Sequence, residues 1–202
     1  MIRNRCICNA FAYQKQTHNL MEPKNLNTLS IAAHGAAVEK GFWKARPSLS
    51  HCQALIFSEV CEGIEADRKG RHADVELFDR RIAIGESEFI GAFESHIKDT
   101  VEDELADTVI RILDLAGSLE LDFTRVSATT YFRQFHKFDF PENAYGFIKG
   151  FCNENIPIIR RIVWAIAYIE GWAEYEDFDL WWHVGKKMEF NATRPVLHGK
   201  KY

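Results

Sequence analysis

Proline is scarce in this chain, with five in 202 residues, and the apolar pattern that recurs most is the helical one. That combination argues against an extended, proline-punctuated sheet protein and for an all-α fold. The five cysteines, at positions 6, 8, 52, 61 and 152, are odd in number and include no C-x-x-C pair. That count points away from a disulfide framework, and reduced thiols in a cytoplasmic protein are the expectation. Long apolar runs are missing too. The most apolar stretch, Ile156–Ile169, is broken by Arg160 and Arg161 and is too short to span a bilayer. The first residues hold no sustained apolar core, so no signal peptide is read there. Residues 1–24 lack periodicity and read as a loose leader, with Met21 an alternative start to Met1. Excess positive charge is also absent. A net charge of −4 and a pI near 6.1 give no general attraction to nucleic-acid backbones or acidic membranes.

What the chain does have is an ordinary globular composition, 47% hydrophobic and 27% charged, enough for one domain over 25–202 with a real core. Its clearest element is Thr100–Gly117. Thr100 can cap the first turn, Asp103 can return a hydrogen bond to that cap, and Gly117 offers a left-handed stop. Leu105, Val109, Ile112, Leu113 and Ala116 form an apolar stripe, and Glu104 and Asp107, three apart, share one face beside it.

A second acidic helix is read over Ser50–Gly70, capped by Ser50 with Gln53 and ended by Gly70. Leu55, Phe57, Cys61 and Ile64 supply its apolar side, and Glu59, Glu62 and Glu65 make an acidic ridge. Such ridges are commonly just solvated. Two buried helices each carrying a carboxylate pair can instead converge four carboxylates on one point, and oxygen-only ligands select hard cations such as Mg²⁺. Glu-x-x-His, the mark of di-iron bundles, does not occur, which sets that alternative aside.

At these residues the sequence resembles the MazG-like all-α nucleotide pyrophosphohydrolases. The matching pieces are K-G-F-W at 40–43, S-E-V-C-E-G-I-E-A-D-R-K-G at 58–70, K-D-T-V-E-D-E-L-A-D-T-V-I-R at 98–111, K-M-E-F-N-A-T-R at 187–194 and H-G-K-K-Y at 198–202. The pieces occur in the family's order from about Asn25 onward; the long interval at 63–103 and the added helical material at 120–180 depart from its smallest members. The resemblance implies an antiparallel helical bundle with extra C-terminal helices. It implies catalysis through Mg²⁺, with Mn²⁺ an alternative, held by Glu59, Glu62, Glu104 and Asp107. The reaction it implies is hydrolysis of a nucleoside triphosphate to the monophosphate and pyrophosphate, in a homodimer or dimer of dimers. Glu65 and Asp103 are candidates for proton-accepting or outer roles, and Arg111 for a supporting salt bridge.

For the substrate, His183, Lys187, Asn191 and Arg194 share one helical face, and Lys187, Asn191 and Arg194 match the family's C-terminal pattern. Lysine meets phosphate as a compact charge and arginine as a fork. The plainer reading is a solvated basic stripe, or partners for the acidic helices; Lys200 and Lys201 extend the same idea. Trp43 is the candidate to stack a base, against the equal alternative of a core plug.

The remaining helices are expected at Asn25–Lys40, with Leu29, Ala32, Ala33, Ala36 and Ala37 as a small-residue packing face, and from Pro141, Pro157 and Asp179 onward. Short helices broken by Gly85 and Gly91 fill 71–95, with a mobile loop at His72–Glu76, and the aromatic 119–140 stretch is read as short helices. About six helices make the bundle. The competing function is a non-catalytic helical dimerisation module with a degenerate acidic face.

Overall fold

The computed structural model describes residues 25–85, 88–126 and 134–199, and every regular element among them is helical. In chain order these are α1 Leu26–Glu39, α2 Leu49–Arg68, α3 Val75–Ala83, α4 Phe89–His96, α5 Val101–Ser118, α6 Phe140–Phe151, α7 Ile158–Tyr175 and α8 Leu180–Thr193. Short 3-10 turns occur at Phe123–Arg125, Phe135–Lys137 and Val196–Gly199. The all-α expectation holds, and eight helices are described where about six are expected for the bundle, the short α3 and α4 over 71–96 being counted with the longer ones.

The starts of the helices follow from capping chemistry. Asn25, Ser48, Asp74, Thr100, Asp139 and Asp179 each accept a backbone N–H of the first turn with a side-chain oxygen. Asp139 and Glu142 close a reciprocal capping box around Pro141. The cap of α2 is Ser48 rather than Ser50: Pro47 precedes it, its backbone is extended, and it receives the His51 N–H. Asp103 takes the Asp99 N–H rather than that of the cap Thr100, so the expected box is displaced by one residue.

Gly117 does not end α5. The helix continues to Ser118, and the left-handed position falls on Glu120, φ 51°. A Cβ on Gly117 would lie 2.5 Å from the Ser30 carbonyl oxygen and from His34 Cβ, so this glycine lets α1 and α5 touch backbone to side chain. Gly91 likewise lies inside α4, whereas Gly85, φ 69°, follows α3 and breaks the chain as expected.

The core is organised around α5, buried on most sides and packed by α1, α2, α7 and α8. Ser30 meets Gly117 and His34 meets Asp114; Gly63 meets Glu104 and Glu59 meets Arg111. Rising numbers on α1 and α2 meet falling numbers on α5, so both helices run antiparallel to it. On α1 the buried residues are Ser30 and Ala33, while Ala32 and Ala36 are exposed, which moves the packing face one step from the expected alanine stripe. On α2 the buried face is Ile56, Glu59, Val60, Gly63 and Ala66; Cys61 is exposed rather than apolar-side. One of the acidic residues therefore rides on the inward face.

The C-terminal helices are joined by aromatics. Phe140, Phe147, Phe151, Tyr168 and Trp172 are buried together, and the Tyr168 hydroxyl donates to the Asn143 carbonyl at 2.8 Å. A smaller cluster of Phe78, Ala92, Phe93, Ile97 and Phe190 secures α3 and α4 against α8. The loop before α3 is tied down: Glu102 accepts from the Ala73 N–H at 2.9 Å and pairs with His72 at 3.0 Å. No described helix is long and apolar enough to cross a membrane.

Candidate metal centre and adjoining cavity

Because α2 and α5 run antiparallel in contact, an acidic residue on the inner face of each is brought to the same level. Glu59, Glu104 and Asp107 each offer an oxygen within 4.8 Å of the other two. Glu59 is 2% exposed and Glu104 4%, so the cluster is sunk between the helices rather than solvated. Asp99, just before the cap of α5, makes a second such group with Asp103 and Glu104 of its first turn, sharing Glu104.

Burying carboxylates together disfavours their ionised forms. Burial, reinforced by Asp107 and Glu62 and opposed by Arg111, lifts Glu59 to about 7. Burial lifts Glu104 to about 9, with Lys187 opposing and Asp103, Asp107 and Glu59 adding to the rise. Two cations answer part of this charge. Arg111 donates from Nε to Glu59 Oε1, and Glu59 and Asp107 hold its guanidinium above its usual range against the pull of burial. Lys187 Nζ lies 2.6 Å from Asp103 and 3.4 Å from Asp107. Burial alone would lower that ammonium, but Asp107, Asp103 and Glu104 outweigh it and raise it.

Of the four expected ligands, three converge. Glu62 is exposed and stands outside the group, although it is near enough to lift Glu59. Glu65 is on the surface, paired with Arg68 at 3.1 Å and Lys69 at 3.0 Å, and takes no part. Asp103 is fully buried beneath Lys187, with Oδ1 lacking any partner. The salt bridge of Arg111 is made to Glu59 rather than to Asp107 on its own helix, a pairing that local spacing does not disclose.

Beside the cluster opens a cavity of about 420 Å³ whose walls include Trp43, Asp107, Arg111, Asp114, Asn191 and Arg194. The turn after α1 carries Trp43 into it, positioned by hydrogen bonds from Nε1 to Asp114 at 2.9 and 3.2 Å and by edge contact with His34. Asp114 also pairs with His34 at 2.8 Å. Arg194, at the end of α8, donates to the His198 carbonyl and packs over Phe190, while Lys40 Nζ caps the last carbonyls of α8 at Ala192 and Arg194. Thus Trp43, Asn191 and Arg194 reach one cavity, and Lys187 sits deeper, on the carboxylates. Asp114 was missed in the sequence, although it stands two turns after Asp107 on the same face of α5. Lys200 and Lys201 lie outside the described residues.

The donor set fits a hard divalent cation: oxygen atoms only, several carboxylates, and buried negative charge that Lys187 and Arg111 leave incompletely balanced. Comparison with known proteins adds no relative: no family model, no curated protein and no solved structure matches this chain.

Proposed function

We propose that this chain is a divalent-metal-dependent hydrolase that cleaves a nucleoside triphosphate to the monophosphate and pyrophosphate. The observation carrying this reading is the meeting of Glu59, Glu104 and Asp107, from two helices, with Asp107 also lining a cavity shared with Trp43, Arg111 and Arg194. A carboxylate cluster alone would be ambiguous. Carboxylates, cations for phosphate and an indole for a base in one enclosure make a set that a nucleotide uses in full. The short motifs shared with MazG-like pyrophosphohydrolases point the same way.

Glu59, Glu104 and Asp107 would hold Mg²⁺ or Mn²⁺. Bound there, such an ion neutralises polyphosphate oxygens and charge developing at the attacked phosphorus. The chain's own groups do the rest. Arg111 keeps Glu59 oriented through Oε1, and Lys187 keeps Asp107 in place. Arg194 contributes a forked donor for phosphate oxygens, and Trp43 offers a face for the base. Water forms the new bond to the α-phosphorus as the bridging oxygen departs with pyrophosphate. The water's proton passes to the carboxylate of Glu62, which lies near Glu59 but outside the ligand group. The family's dimeric habit is part of the proposal, and Ile31, 71% exposed on α1, is an apolar residue that a second copy would cover.

One observation favours the non-catalytic reading. Lys187 and Arg111 already neutralise part of the cluster, as they would in a purely structural charge network. The two readings separate in a substrate panel of standard, oxidised and methylated nucleoside triphosphates, with pyrophosphate release followed in Mg²⁺ and in EDTA. Metal-dependent release lost in Asp107→Asn supports the hydrolase. Silence across the panel from a folded, metal-loaded protein leaves the structural network.

A further inference from the structure

A second cavity, also about 420 Å³, opens between α3, the start of α5, the α7–α8 turn and α8. Five of its lining residues are carboxylates, Asp79, Glu102, Glu176, Asp177 and Asp179, and none is a lysine or arginine. Its floor is formed by Glu102 and His183, 8% and 2% exposed, while Asp79, Asp177 and Asp179 are exposed at the rim.

Some of this acidity has a structural explanation. Asp179 caps α8 through the Trp181 and Trp182 N–H groups, Glu102 accepts from Ala73 and pairs with His72, and Glu176 accepts from Trp172 Nε1 at 3.3 Å. His183 has no such explanation. Its ring is held edge-on between Phe178 and Trp182, with centroids 5.6 and 4.8 Å away, and its Nδ1 is buried with no hydrogen-bond partner. A buried ring nitrogen left unsatisfied carries a desolvation cost that a bound donor or acceptor would offset. Burial keeps this imidazole neutral, lowering it to about 4, so it is no counter-charge for the carboxylates around it.

We propose that this cavity binds a linear aliphatic polyamine. The ligand is positively charged because the lining carries five carboxylates and no cation. It is extended because, among the described residues, no three of these side chains bring oxygen or nitrogen ligand atoms within 4.8 Å of one another, as one metal ion would require. Separated anions suit ammonium groups spaced along an alkyl chain. It is aliphatic because Phe178 and Trp182 line the same space, where rings favour methylene contact and attract ammonium charge over their faces. The two cavities share no lining residue.

Calorimetric titration of spermidine into the full-length, metal-free protein at fixed ionic strength tests the proposal, with Mg²⁺ and propylamine as controls. Saturable one-to-one binding is expected, about tenfold or more tighter than either control. It should weaken by about tenfold in Glu176→Gln and in His183→Asn, each checked for an intact fold by circular dichroism, and more in Asp79→Asn/Glu176→Gln. Binding should persist in Glu104→Gln, because Glu104 does not line this cavity. Equal affinity for Mg²⁺, loss in Glu104→Gln, or indifference to the Asp79→Asn/Glu176→Gln pair would each reduce the effect to general charge screening and overturn the site.

Discussion

Glu104 concentrates the chemistry of this molecule in one side chain. It is buried, surrounded by carboxylates, and held near 9, so the metal-free fold prefers it protonated at neutral pH. In the unfolded chain the same group ionises near 4.5. Between those values the folded state binds more protons than the unfolded one, so stability declines as pH rises from about 4.5 towards 9, with Glu59 adding its part up to about 7. His183 works in the opposite direction at lower pH: folded near 4 and unfolded near 6.5, it removes stability as pH falls through that interval. Melting curves across pH should show the alkaline decline shrinking in Glu104→Gln and on adding Mg²⁺. A decline unchanged by both would mean that Glu104 is not the group responsible. The same variant should lower turnover by about a hundredfold or more, since it would take a ligand charge from the proposed metal centre. Lys187 carries a different expectation. Its removal in Lys187→Ala strands Asp103 as a buried unpaired charge and should cost about 3–5 kcal/mol of stability by chemical denaturation. Lys187→Ala/Asp103→Asn should recover much of that loss; no recovery would place the defect elsewhere.

At the level of elements, α5 is both the structural centre and the carrier of two of the three converging carboxylates, and its contact with α1 depends on Gly117. Gly117→Ala should destabilise the fold by about 1–3 kcal/mol, because the added methyl meets the Ser30 carbonyl rather than a movable side-chain tip. Ser118→Ala, beside it, removes only a local hydroxyl bond to Leu115 and serves as the control in the same denaturation experiment. Helix existence was legible in the sequence because apolar period and polar caps agree: Asp179, Pro157, Pro141 and Thr100 each mark a real start. Gly117 was misread because a glycine near a helix end serves equally as a stop or as a point of close approach, and only the neighbouring helix decides which. The inward face of α2 was misread for a related reason. Glu59 counts as polar in any periodicity, so the stripe was placed on Cys61 and Phe57, when Ile56, Val60 and Gly63 bury Glu59 with them.

Across the whole molecule, the cavity proposed to take the nucleotide is assembled from segments far apart in sequence: α1 and the turn after it, the start of α2, the middle of α5 and the end of α8. Lysine 40, whose ammonium holds the last carbonyls of α8, links two of those segments directly. Sequence spacing shows pairs within a helix, and it therefore revealed Glu59 with Glu62 and Glu104 with Asp107. It does not show which residues face across to another helix, and for that reason the exclusion of Glu62 from the group and the Arg111–Glu59 pair are evident only in three dimensions. Because the cavity joins α1, α2, α5 and α8, a nucleotide that fills it should stiffen the fold as a whole. With Mg²⁺ and a non-hydrolysable triphosphate at a hundred times its dissociation constant, stabilisation of about 2.7 kcal/mol is expected in thermal unfolding. Absence of any shift would argue against ligand binding across these segments.

Divalent-ion binding is measured most directly by titrating Mn²⁺ into the wild-type protein and into Glu104→Gln and Glu62→Gln at neutral pH, with turnover recorded on the same samples. Wild type should bind saturably, Glu104→Gln should lose binding and turnover together, and Glu62→Gln should keep binding while turnover slows by about 10²–10⁴-fold. Equal Mn²⁺ affinity in wild type and Glu104→Gln would show that the carboxylates joined between α2 and α5 do not hold the ion, and would contradict the proposed site at its base.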